Sequence, residues 1–121
     1  VTAELAGKLR RWVVLATILF APLACTVRPE PVPKFRIVAQ QGMIRSIVVD
    51  EKVATDEAAL FKIAESLLPT MPNRAVMLHV WTDARQVPER IENMTDAQQA
   101  ARRAIVTINL NTGHRQVNHL P

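Results

Sequence analysis

From Phe35 onward, apolar and polar positions alternate with two different periods, and the switches between them mark the elements. Phe35, Ile37 and Ala39 share one side of an extended 35–40 segment by the two-residue period of a strand. Gln41-Gly42 offers a short turn, and 43–49 (MIRSIVV) predicts the antiparallel partner. The period then lengthens: Leu60, Ile63, Ala64 and Leu67 fall at i, i+3, i+4 and i+7, with Phe61 and Leu68 widening the stripe, which predicts a helix buried against the sheet. Thr55 or Asp56 caps it, Asp56 and Glu57 complement the positive end of its dipole, and Pro69 and Pro72 end it.

Arg74 to Thr82 (RAVMLHVWT) is apolar on both faces, which predicts a central strand covered at least in part on each side. Ala75, Met77, His79 and Trp81 share one face, and Val76, Leu78 and Val80 the other. Polar residues and Pro88 make 83–94 a long surface loop. Thr95-Asp96-Ala97-Gln98 has capping-box spacing and predicts a short helix through Gln99 and Ala100. Ala104, Val106, Ile108 and Leu110 then alternate with Ile105, Thr107 and Asn109 as a half-buried strand. Asn111-Thr112-Gly113 offers a hairpin loop, and 114–119 returns as a weaker strand. The expected fold is α+β, a small, mostly antiparallel sheet in the order β-β-α-β-β-β with one main helix on one face. Residues 35–121 form a single small domain, with most of its core from Val, Ile and Leu because aromatic residues are few.

The first quarter of the chain has another character. Lys8, Arg10 and Arg11 precede 13 apolar or small residues, Trp12 to Ala24, and then Leu23-Ala24-Cys25 brings the only cysteine. A helix of that length spans roughly 20 Å against about 30 Å of bilayer hydrocarbon, and Pro22 falls near its end, so a spanning anchor is the weaker reading. The segment resembles the signal of bacterial lipoproteins, cut just before a cysteine that carries lipid. Pro22 departs from the family pattern, which prefers an apolar residue three places before the cysteine. The resemblance implies a signal at 1–24, acylation of Cys25, and attachment to a membrane of the bacterial cell envelope, facing the periplasm. Thr26, where an acidic residue favours inner-membrane retention, implies the outer membrane. Prolines 29, 31 and 33 alternate with other residues, so 25–34 reads as an extended tether of roughly 25–30 Å.

Charge and chemistry narrow the classes. Without residues 1–24, 12 basic side chains face 10 acidic ones, and the longest basic cluster is Arg102-Arg103, which gives no phosphate-tracking surface and no reason to expect nucleic acid. One cysteine excludes a disulfide framework. Glycine occurs only at 7, 42 and 113, so a phosphate-cradling loop is missing. His114 and His119 lie on opposite faces of one strand and make poor joint metal ligands. No cofactor or metal is expected, and no nucleophile motif argues for an enzyme. The one unusual side-chain group is His79 between Met77 and Trp81. With Asp83 and the 83–94 loop, His79 and Trp81 could line a small ligand-binding or hydrolytic pocket. The other reading of the same group is a half-buried strand histidine covered by a neighbouring loop, with one ring nitrogen satisfied. Two functions follow. The favoured one is a lipid-tethered envelope module that binds or scaffolds another envelope protein, docking through an exposed edge such as the C-terminal strand. The alternative is the pocket.

Overall fold

A computed structural model describes residues 31–121. The sheet has five strands in sequence order: β1 (Arg36–Gln41), β2 (Ile44–Val48), β3 (Ala75–Trp81), β4 (Ala104–Asn109) and β5 (His114–His119). Three of the four pairings are antiparallel, and β2–β3 is parallel. The fold is therefore α+β with a mostly antiparallel sheet, and β3 is its central strand. The parallel pair follows from the connection: strands that run the same way need a crossover, and the helical segment between β2 and β3 supplies it.

That segment begins with a short helix, α1 (Glu51–Ala54), which the hydrophobic pattern does not announce. The main helix, α2 (Glu57–Leu67), starts where Asp56 accepts a hydrogen bond from the Ala59 amide at 3.2 Å. Of the two candidate caps, Asp56 has this place, while the Thr55 hydroxyl donates back to the Glu51 carbonyl. Pro69 tightens the exit into one 3-10 turn, Leu68–Thr70.

Register assigns every strand residue to a layer. Ile47 of β2, Val76, Leu78 and Val80 of β3, and Ala104, Val106 and Ile108 of β4 meet Leu60, Ile63, Ala64 and Leu67 of α2 in one buried cluster. Val117 of β5 packs at its margin. The β4–β5 loop holds four residues, 110–113, one more than the pattern suggests, and Gly113 takes the positive φ of 74° there. Gly42 plays the same part in the β1–β2 turn at φ 58°. Among the described residues, no helix is long and apolar enough to cross a membrane.

Candidate functional site

Opposite α2, the second face of the sheet is covered in part by the 83–102 segment. This stretch is not a plain loop. It contains 3-10 turns at Ala84–Gln86 and Ile91–Asn93, then α3 (Asp96–Ala101). The capping box is formed: the Gln98 amide donates to the Thr95 hydroxyl at 3.1 Å, and the Thr95 amide to the Gln98 side chain at 2.9 Å. Two long-range contacts fix the segment to the sheet. Trp81 Nε1 donates to the Gln98 carbonyl at 3.0 Å. At the far end Gln41 accepts from the Ile91 amide at 3.1 Å and donates to Glu92 at 2.6 Å. The Gln41 amide, the Glu92 backbone and Arg90 together hold the Glu92 carboxyl down to about 2.

His79 and Trp81 lie beneath this cover, at 4% and 0% exposure. Their rings are 6.3 Å apart and inclined by 22°. Arg102, at the end of α3, places Nη1 3.0 Å from His79 Nδ1. A guanidinium only donates, so Nδ1 accepts and the proton sits on Nε2. Nε2 and Arg102 Nε are buried without a hydrogen-bond partner. Burial, and then the Arg102 charge, hold His79 down to about 4, so the ring is neutral at pH 7. Burial also lowers Arg102.

Asp83, the third residue of the candidate pocket, lies at the surface and pairs with its neighbour Arg85 at 3.0 Å. Hydrogen bonds from Arg85 hold its carboxyl below the usual range. The structure thus brings His79 and Trp81 together and leaves Asp83 apart, and none of the three lines any of four clefts found among the described residues. Sequence reasoning missed Arg102 as the partner of His79. Its sequence signal was misleading, because Arg102-Arg103 reads as one basic cluster. The two side chains go to different partners: Arg102, the residue that ends α3, reaches His79, and Arg103, just before β4, binds Glu51 at 2.5 and 2.6 Å. Among the described residues, no three His, Cys, Asp or Glu side chains come together as a metal site. Cys25, expected to carry lipid, the expected signal at 1–24 and most of the expected tether at 25–34 lie outside the described residues.

The remaining candidate is an edge. The Leu120 amide donates to the Arg103 carbonyl at 2.9 Å. With the β4–β5 register, this sets which groups face inward: 114, 116 and 118 bond to β4, and the N–H and C=O of Arg115, Val117 and His119 point away from it. No described strand lies beyond them. The other edge differs, because β1 carries a bulge between Ile37 and Ala39, and bulges are one way that edges are blunted. β5 has six residues in unbroken register, and no proline or bulge interrupts it. Compared with known proteins, the chain matches no family model, no curated protein sequence and no solved structure.

Proposed function

We propose that this chain is a lipid-tethered module of a bacterial cell envelope that docks another envelope protein along the open edge of β5. The observation that carries the docking is the row of outward backbone groups at Arg115, Val117 and His119, on a regular and largely exposed strand. A sheet edge of this kind accepts a further strand through main-chain hydrogen bonds. The tether is supported by Cys25 and the basic and apolar residues before it. Acylation there, with more than one chain, would give stable attachment. The buried His79–Arg102 pair then has a structural part, holding the 83–102 cover against the sheet. The ligand-pocket reading draws no support from the four clefts described, none of which His79, Trp81 or Asp83 lines.

Two variants test the two halves. Cys25→Ser should remove the acyl mass and release the protein from membranes. Val117→Pro should remove one outward N–H without touching the β4 ladder, so the fold persists and partner capture falls. Ile105→Pro is a poorer test, because the Ile105 amide faces β5 and its loss damages the sheet itself. An unacylated wild type overturns the tether. Capture unchanged by Val117→Pro overturns the docking edge.

A further inference from the structure

Five arginines lie between 85 and 115, and four of them meet a carboxylate: Arg85 meets Asp83, Arg90 meets Glu92, Arg103 meets Glu51 and Arg115 meets Glu65. Arg102 is the exception. Among the described residues its guanidinium bonds only the neutral ring of His79, through Nη1. Its Nε is buried without a partner, and burial pushes the group below its usual range with no carboxylate to offset that. A guanidinium has further N–H groups to give. Drawing such a cation out of water costs free energy that a counter-ion with good hydrogen bonds returns, and an uncharged imidazole brings no charge to do so.

Arg102 also lines an open cleft of about 430 Å³ between α3 and the residues that follow β5. Ala100, Leu120 and Pro121 give the cleft apolar walls, Gln99 adds an amide, and Asp96 stands at the start of α3. We propose that this cleft binds a single carboxylate borne on a short apolar group, with the carboxylate on the free N–H groups of Arg102. The apolar group rests against Ala100, Leu120 and Pro121. Charge selects among ligands. One cation without a counter-ion favours one negative charge, whereas a phosphate monoester carries about −1.5 to −2 at pH 7 and would set the excess against Asp96. A cationic ligand is repelled by Arg102. Both a small organic acid and the C-terminal residue of a peptide present the required group, and the experiment separates them. The site uses none of the outward groups of β5, so it stands or falls apart from the docking edge.

The test is an NMR titration of the full chain at pH 7, followed at the backbone amides and the arginine Nε–H groups. The probes are N-acetyl-leucine, its uncharged amide N-acetyl-leucinamide, 4-methylpentanoate and inorganic phosphate. N-acetyl-leucine should bind saturably, with a Kd on the order of a millimolar for so small a ligand. The shifts should centre on Gln99, Ala100, Arg102 and Leu120. N-acetyl-leucinamide, which lacks only the charge, should bind at least about tenfold more weakly. Equal affinity for 4-methylpentanoate supports a simple acid as the source, and several-fold weaker affinity supports a peptide C-terminus. Arg102→Gln should abolish binding, but it also breaks the bond to His79. Two exposed positions that leave that bond alone therefore carry the test. Asp96→Asn should tighten binding about two- to fivefold, and Ala100→Glu should weaken it by a similar factor. Equal binding of acid and amide, shifts centred elsewhere, or an affinity indifferent to both of these variants overturns the site. Tighter binding of phosphate overturns the choice of a carboxylate.

Discussion

Acid should weaken this domain through one side chain before its carboxylates begin to protonate. His79 is 4% exposed and neutral, with its proton held down to about 4, whereas an unfolded histidine titrates near 6.5. Between these values the unfolded chain binds a proton that the folded chain refuses, so stability is full above about pH 6.5 and falls as the pH drops. The loss levels off below about pH 4. Linkage puts it at about 2 kcal/mol by pH 5 and about 3 kcal/mol at the plateau. Glu92 and Asp83, both depressed in the folded chain, push the same way, but an unfolded carboxylate takes up protons only below about pH 4.5, which confines their effect to lower pH. The pH 5 to 7 window therefore isolates the histidine. The assay is urea unfolding followed by circular dichroism at pH 7, 6 and 5, for wild type and His79→Gln. Glutamine retains an oxygen to accept from Arg102 and cannot be protonated in this range. The variant should be less stable at pH 7 and nearly flat from pH 7 to 5, while the wild type loses about 2 kcal/mol. Equal slopes in the two proteins would refute the argument that burial and Arg102 keep this ring neutral.

Three smaller perturbations follow from the cover over the second face. Thr95→Ala removes the capping box of α3 and should cost about 1 kcal/mol of local stability, read as faster amide exchange in 96–101. Trp81→Phe loses the bond to Gln98 and should cost about 1 kcal/mol, or more if the smaller ring leaves a void, again with faster exchange in α3. Gln41→Ala removes the first of the groups that depress Glu92, so the Glu92 titration, followed by carboxyl chemical shift, should move up toward the ordinary carboxylate range. In the main core, Ile63→Ala truncates a fully buried side chain and should cost about 2–5 kcal/mol in urea unfolding.

Much of the fold was legible because local signals and burial agree. The strands and α2 follow their hydrophobic periods, and the Thr95–Gln98 spacing forms the box it predicts. What stayed hidden depends on pairing across distance. No local pattern tells β2 to run parallel to β3, because that direction is set by the crossover between them. Helix α1 is four residues long and too short to show a period. The contact of β5 with α2 was harder still. Phe61 reads as core from its spacing, and Glu65 reads as solvated; only the arrival of Arg115, fifty residues later in the chain, makes them walls of one cleft. His79 stood out for its neighbours on β3, yet the residue that governs its proton is Arg102, contributed by the far end of the covering segment.

The central claim is that a tethered domain presents β5 to a partner in the envelope. The most direct measurement places a photo-crosslinking side chain at Val117, in cells that export the protein, with and without Cys25→Ser. A discrete crosslinked envelope protein is expected from the wild-type background, lost when Cys25 is replaced. No crosslink at Val117, or one that survives the loss of Cys25 unchanged, would contradict it.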